Sequence, residues 1–292
     1  MHKERTSELF IFSEAFLWAF YPIVSSILVL AFSPVFALAV STLAAAVFFG
    51  TVVALQKRWH ELFIKQAWKY LIPMILLMGI LLYGLLFFSL QYTTPGNVSI
   101  ISLMEVFFTM VLLGAVTKHE TLSRVTIIGG ALMVIGAFFV IFQGSLKPNP
   151  GDMLVLLAMA VPPFGNLMTK KVRSYMSAAT LMFARSTIAG IFLLFLAWVL
   201  GDIPNTMPSW GMIGLIALNG FVLLGFSKIL WIEGIHRIQI SKAISLSSIN
   251  PAITLFFAFV ILHQRPTLFQ VLGLVPIMAG VWLLTRRNLV TE

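Results

Sequence analysis

Long apolar runs follow one another along the whole chain, separated by short polar connections. A helix that crosses a bilayer needs about 20 consecutive apolar residues. Ten runs fit this length, so the pattern predicts ten transmembrane helices. Their predicted bounds are Leu9–Phe32, Pro34–Leu55, Gln66–Leu90, Pro95–Val116, Ser123–Phe142, Asp152–Lys170, Ser177–Leu200, Pro208–Ile232, Lys242–Leu262 and Pro266–Thr285.

Composition agrees with an all-α integral membrane protein. Of the 292 residues, 60% are hydrophobic and 10% are charged, whereas a soluble domain carries about 25% charged residues. The chain has no cysteine, so disulfides and thiolate metal sites are excluded. We expect no cleavable signal peptide and no cofactor. The net charge of +9 is not taken to indicate nucleic-acid binding, because no basic domain lies outside the apolar segments.

The basic residues predict the orientation of the helices. If the N-terminus is cytoplasmic, fifteen lysines and arginines fall on the inner side and only Lys147 and Arg265 fall in outer loops. Cytoplasmic loops are enriched in these residues. We therefore expect a multi-pass protein of the plasma or inner membrane with both termini in the cytoplasm. Its short connections leave no room for a soluble catalytic domain.

The two halves of the chain match when one is shifted by 144 positions. His119 then meets His263, Gly129 meets Gly273, and Gly136 meets Gly280. Residues 1–144 and 151–292 are thus predicted to be two five-helix repeats joined by "FQGSLKPNPGD" (142–152). Because five is odd, the second repeat enters the membrane inverted, an arrangement typical of secondary transporters. The glycine stripe indicates close packing of the fifth and tenth helices, or a homodimer contact.

Four segments carry a resemblance to a known family. They are "FLWAFYPIVSS" (16–26), "FFSLQYTTPGNVSIISL" (87–103), "MFARSTIAG" (182–190) and "SSINPAITLFFAFVILHQRPTLFQVLGLVPIMAG" (247–280). With them the chain resembles the EamA family of the drug/metabolite transporter superfamily over nearly its whole length. The resemblance implies a ten-helix transporter of small molecules and leaves the substrate open, because such families move many different solutes.

Two ionisable residues lie deep inside predicted helices. Glu105 is about ten residues from either end of the fourth helix, and a charge at the bilayer centre costs at least about 2.5–3.5 kcal/mol. It could couple protons or bind a substrate cation, or it could form a structural hydrogen bond. Arg185 in the seventh helix could bind a substrate carboxylate or phosphate, or it could pair with Glu105 or with helix-end carbonyls.

Glu14 and Lys228 are predicted to lie about five residues inside the cytoplasmic ends of the first and eighth helices. They could form a gate, or they could simply reach the lipid headgroups. The remaining candidates for the cavity lining are aromatic, amide and hydroxyl side chains, which could equally hold helices together. These are Trp18, Tyr21, Asn97, Ser102, Asn166, Trp231, Ser247, Ser248 and Asn250.

Known signatures of enzymes and ATP-driven pumps are absent from the sequence, including the Walker loop, HExxH and GxSxG. We therefore expect no enzyme, but a secondary transporter that exports small metabolites by alternating access. A carboxylate and a guanidinium at depth suit a zwitterion such as an amino acid, and Glu105 could couple export to protons. The alternatives are an uncoupled facilitator and a lipid or lysolipid flippase of the same architecture.

Overall fold

The computed structural model describes residues 2–117, 124–145, 147–238, 243 and 246–288. Every regular element in this part of the chain is helical. The α-helices are α1 His2–Trp18, α2 Tyr21–Ala31, α3 Pro34–Leu55, α4 Lys65–Met74, α5 Leu82–Ser89, α6 Pro95–Ser102, α7 Met104–Thr117, α8 Arg124–Phe142, α9 Pro150–Met159, α10 Pro162–Arg173, α11 Ala178–Val199, α12 Trp210–Ala217, α13 Ser227–Arg237, α14 Asn250–Leu262 and α15 Leu268–Asn288. The sequence features at Lys118, His119, Glu120 and Lys242 lie outside the described residues.

Six helical stretches are long and apolar enough to cross a membrane, and they coincide with predicted spans. They are Arg5–Ala31, Pro34–Leu55, Lys65–Ser89, Pro150–Arg173, Ala178–Val199 and Trp210–His236. Four shorter apolar helices lie where the other spans were expected, at Pro95–Val111, Ile127–Phe142, Asn250–Leu262 and Leu268–Leu283. The structure is thus an all-helical membrane protein.

Several helices that were predicted to be continuous are interrupted. The helical conformation is interrupted at residues 19–20 between α1 and α2, at Leu103 between α6 and α7, and at residues 160–161 between α9 and α10. A turn at residues 248–249 precedes α14. Proline explains three of the breaks, because it has no backbone N–H and clashes with the preceding turn. The prolines concerned are Pro22, Pro162 and Pro251.

The break at Leu103 has a different cause. The Ser102 hydroxyl donates to the Val98 carbonyl at 2.6 Å, and the Leu103 N–H donates to the Ile100 carbonyl at 3.1 Å. A serine that bonds back to its own helix competes with the regular backbone ladder and bends the helix. Glu105 consequently lies in the first turn of a new helix, not in the middle of a continuous one as the sequence suggested.

Local features recur in both halves at the predicted spacing. Ser33 caps α3 and Ser177 caps α11, each accepting a hydrogen bond from the backbone N–H three residues on. π-helical segments at Ile75–Leu81 and Leu218–Phe226 follow the same spacing to within one residue. The structure therefore has a two-repeat architecture.

The glycine stripe is used inside the chain, between α8 and α15. A Cβ at Gly136 would lie 2.4 Å from the Gly273 carbonyl oxygen, and one at Gly280 would lie 2.5 Å from that of Gly129. Backbone at this distance leaves no room for any side chain. The expected contact between the fifth and tenth helices is confirmed, and these glycines do not form a homodimer contact.

Candidate functional site

A buried cavity of about 110 Å³ lies where the interrupted helices meet. It is bounded by α1, α4 and the π segment after it, α5, α6, α7, α9, α10, α11 and α13. Residues on both sides of two of the breaks line the cavity. Ser102 and Glu105 flank the break at Leu103, and Met159 and Pro162 flank the break at residues 160–161. Broken helices at membrane depth are tolerated where they line such a cavity. The other residues that line it are Glu14, Trp18, Met74, Met78, Leu82, Tyr83, Leu86, Asn166, Thr169, Met182, Arg185, Lys228, Trp231 and Ile232.

Glu105 is held by one hydrogen bond across the cavity wall. The Asn166 side-chain amide of α10 donates to Glu105 Oε1 at 3.0 Å. Glu105 belongs to the first turn of α7, and the positive end of a helix favours a negative charge. The Asn166 amide and the N-terminal end of α7 therefore stabilise the Glu105 carboxylate, which still lines the cavity.

Glu14 and Lys228 form a buried ion pair. Lys228 Nζ lies 2.5 Å from Glu14 Oε1, and it also lies 3.2 Å from the centre of the Trp18 ring. The two residues expose only 2% and 8% of their surface. This burial inside the protein argues against side chains that simply reach the lipid headgroups. A role as a gate stays a prediction.

Arg185 reaches the same cavity from α11. Its guanidinium lies 5.4 Å from the centre of the Tyr83 ring, and only 6% of the residue's surface is exposed. Among the described residues no carboxylate lies within 4.0 Å of it, so the Arg185–Glu105 ion pair considered from the sequence is not formed. Within the part of the chain that the structure describes, the Arg185 guanidinium therefore has no carboxylate partner.

A second, smaller cavity of about 80 Å³ adjoins the first. Trp18, Ser102, Glu105 and Trp231 line both, so Glu105 lies on the shared wall. The residues found only in the second cavity are Pro22, Ser99, Leu103, Ser247 and Asn250.

Hydroxyl and amide groups supply most of the polar lining of the second cavity. The Thr254 hydroxyl donates to the Ala19 carbonyl at 2.9 Å, next to the break in the first helix. The Ser99 and Thr254 hydroxyl oxygens lie 3.2 and 3.1 Å from the Asn250 amide oxygen. The Ser247 hydroxyl is buried without a hydrogen-bond partner, so it remains available to a guest molecule.

Three of the candidate residues, Tyr21, Asn97 and Ser248, line neither of these two cavities. Tyr21 lies behind the lining, where its ring stacks on Trp18 at 4.0 Å with an interplanar angle of 9°. Asn97 faces a separate network, donating to both oxygens of Asp152 at 3.1 and 3.0 Å. Of the other candidates, Trp18, Ser102, Glu105, Asn166, Arg185, Lys228, Trp231, Ser247, Asn250 and Glu14 line one cavity or both.

Sequence reasoning missed the network around Asp152. This carboxylate is fully buried in α9 and also accepts hydrogen bonds from the Thr93 hydroxyl and from the Gln143 amide, the latter at 3.3 Å. Asn97 in turn accepts from Gln270 at 2.8 Å. Asp152, the first residue of the predicted sixth helix, was the only signal that the sequence offered. Most of its partners lie far from it in the sequence, so the network could not be predicted. Among the described residues no group of histidines and acids is arranged to hold a metal ion.

Comparison with known proteins gives one family. A family model described as "EamA-like transporter family" matches residues 5–142 and 149–286. A protein named "Probable amino-acid metabolite efflux pump" from Escherichia coli (strain K12) is 28% identical over 233 residues, which are 73% of this chain and 77% of that protein. Its namesake from Salmonella typhimurium (strain LT2) is 29% identical over 73% of this chain and 77% of its own.

Two further relatives support the same grouping. A Bacillus subtilis (strain 168) protein named as an uncharacterized transporter is 25% identical over 76% of this chain and 77% of its own length. A solved crystal structure superimposes with a TM-score of 0.71 at 15% identity, covering 98% of this chain and 99% of the other. At this identity the superposition shows a shared fold alone.

Proposed function

We propose a substrate class and a mechanism for this chain, which belongs to the EamA-like transporter family of the drug/metabolite transporter superfamily. The protein exports amino acids or closely related zwitterions by alternating access. Transporters of this kind hold the substrate near the bilayer midplane at the interface of two repeats. The cavity between the interrupted helices is the binding site, and its polar extension contains Ser247 and Asn250.

The observation that carries the proposal is the charge balance of the cavity. Glu14 and Lys228 neutralise each other at 2.5 Å. Glu105 and Arg185 remain, one negative and one positive, in the same cavity and without an ion pair between them among the described residues. An α-amino acid presents the complementary pair of charges. The names of the Escherichia coli and Salmonella relatives support the same substrate class.

Glu105 is the coupling residue in this proposal. Its carboxylate binds the substrate ammonium, and a proton competes for the same oxygens. Arg185 holds the substrate carboxylate, because its guanidinium offers paired donors. Protons that move inward through Glu105 then drive substrate outward.

The membrane arrangement completes the proposal. Residues 1–144 and 151–292 are inverted five-helix repeats that rock against each other, with ten spans in the plasma or inner membrane. The excess of basic residues in the predicted inner segments supports cytoplasmic termini. The α8–α15 contact lies within one chain, so the glycine stripe no longer supports a homodimer.

Transport by proteoliposomes tests the function. Purified protein is reconstituted and counterflow of an amino-acid panel is measured at two opposite pH gradients. We expect flux of some amino acids and a rate that changes with the gradient. Glu105→Gln should abolish the response to pH, and Arg185→Gln should weaken binding of the substrate carboxylate by at least about tenfold. Arg265→Gln, an exposed residue outside the cavity, is the matched control.

Other outcomes separate the alternatives. Amino-acid flux that ignores the pH gradient in the wild-type protein would indicate an uncoupled facilitator. Absence of amino-acid flux, together with transbilayer movement of a labelled lysolipid, would indicate a flippase. Wild-type pH dependence in Glu105→Gln would refute the coupling role alone.

A further inference from the structure

Four methionines form much of the apolar lining of the first cavity. Met74 and Met78 come from the third span, Met159 from the sixth and Met182 from the seventh. We call these four side chains the methionine wall. Methionine is unbranched and polarisable, so it fits apolar groups of different shape better than leucine or valine does. A binding surface of this kind suits an apolar substrate group of variable size.

One member of the wall is seated on a glycine. A Cβ added at Gly165 of α10 would lie 2.2 Å from both Cγ and Sδ of Met78. The Met78 thioether therefore lies directly on the bare backbone of the neighbouring helix. Any side chain at position 165 would displace it, and the adjoining open space is the cavity. Gly165 thus fixes how far Met78 extends into the site.

We propose that the methionine wall receives the apolar side chain of the substrate, and that Met78, seated on Gly165, sets the size limit. This inference rests on the proposed function, because the ammonium and carboxylate groups must be held by Glu105 and Arg185. The substrate class is then narrowed to amino acids with uncharged, apolar side chains. A thioether offers a hydroxyl or amide group only a weak acceptor and no donor, and a buried polar group without a good partner is costly.

Size and polarity make separate predictions for the wild-type protein. Affinity should change by less than about tenfold from valine through leucine and methionine to phenylalanine, because the wall adapts. Valine should bind about tenfold or more tightly than threonine, and leucine than asparagine, since these pairs differ little in shape. Thermal-shift titration of the purified protein measures both series, because ligands that bind the folded state raise its apparent stability.

Substitution of the glycine tests the role of Met78. Gly165→Ala should weaken leucine, methionine and phenylalanine binding by about tenfold and change alanine binding by less than about threefold. The double variant Gly165→Ala/Met78→Ala should restore the large amino acids to within about threefold of wild type. Gly84→Ala in α5 is the matched control, because a Cβ there meets nothing within 4 Å.

The outcomes distinguish this inference from the proposed function. If no amino acid binds the wild-type protein, the proposed function fails and the inference fails with it. If amino acids bind but threonine equals valine, or if Gly165→Ala keeps the wild-type ranking, only the inference is overturned. Failure of the double variant to recover would show that Met78 is not the residue that sets the limit. If Gly165→Ala cannot be purified, the single variant Met78→Ala decides, and it should favour phenylalanine over alanine more than wild type does.

Discussion

Lys228 and Glu14 are 214 residues apart in the chain, yet Nζ and Oε1 lie 2.5 Å from each other inside the protein. The Trp18 ring covers the ammonium group at 3.2 Å. The pair joins the first helix of one repeat to the eighth segment in the other. A buried ion pair adds little net stability compared with apolar residues, but removing one partner leaves a charge without compensation.

Single and double substitutions should therefore behave differently. Lys228→Met or Glu14→Gln alone should lower the free energy of unfolding by about 3 kcal/mol or more, whereas the double variant should recover much of the loss. Thermal unfolding of the detergent-solubilised protein measures the effect. Glu233→Gln serves as a control, because its ion pair with Arg173 is partly exposed and should cost about 1 kcal/mol or less. Additive single effects in the double variant would contradict the prediction.

The hydrogen-bond network at Asp152 should be important for stability. Asp152→Ala removes the acceptor for the Asn97, Gln143 and Thr93 groups. Asn97 is buried and Thr93 is half-buried, and a buried donor left without a partner costs about 1–3 kcal/mol. We expect a loss of about 3 kcal/mol in the free energy of unfolding, with a smaller loss for Asp152→Asn, which keeps an amide oxygen. The control is Asp202→Ala in the loop after α11. Equal melting temperatures for Asp152→Ala and the control would refute the prediction.

Gly136 should not tolerate even one additional methyl group. Gly136→Ala places a Cβ 2.4 Å from the Gly273 carbonyl oxygen and 2.6 Å from an Ile277 side-chain carbon. Because the first contact is backbone, α8 and α15 must separate, at a cost of about 1–3 kcal/mol. The melting temperature should fall accordingly. Gly214→Ala in α12, where a Cβ meets nothing within 4 Å, should leave it unchanged or slightly raised.

Glu61 gives the folded protein a pH dependence outside the spans. Burial tends to raise the pKa of this carboxyl, but hydrogen bonds from the Ser177 N–H at 2.7 Å and from the Ser177 and Thr180 side chains, with Arg58 nearby, lower it below its ordinary value of 4.5. A depressed pKa in the folded state contributes stability above the ordinary pKa, which is lost as the pH falls through the folded value.

The matching experiment compares melting temperatures from pH 7 to pH 3. Glu61→Gln should melt below wild type at pH 7, and the difference should shrink as the pH falls below about 4.5, the ordinary pKa. Lys65→Gln, which changes a nearby charge on the same side, is a suitable control. A difference that stays constant over this range would show that Glu61 contributes nothing through its charge.

The sequence predicted the helical segments well and their interiors poorly. Within the described residues, apolar runs and prolines located the segments to within a few residues, apart from the first, which begins at His2. The start predicted at Lys242 lies outside those residues. The breaks inside these segments were missed. At Leu103, for example, the apolar run continues on both sides of the break, so hydrophobicity gives no sign of it. Pro22 and Pro251 were visible signals, but the back-bonded Ser102 hydroxyl was not. Methionine gave no signal for the wall, since it is an ordinary core residue.

The sequence by itself determined the class of the protein and its two-repeat organisation. The length of the apolar runs and the spacing of 144 residues can both be read along the chain without any knowledge of tertiary contacts. It also singled out Glu105 and Arg185 as ionisable residues deep inside predicted helices, and Glu14 and Lys228 as a possible gate nearer the cytoplasmic ends. Only the tertiary structure decided that Lys228 pairs with Glu14 and that Asn166 binds Glu105. These choices depend on the rotation and depth of one helix against another, and the periodicity of a single helix does not fix either.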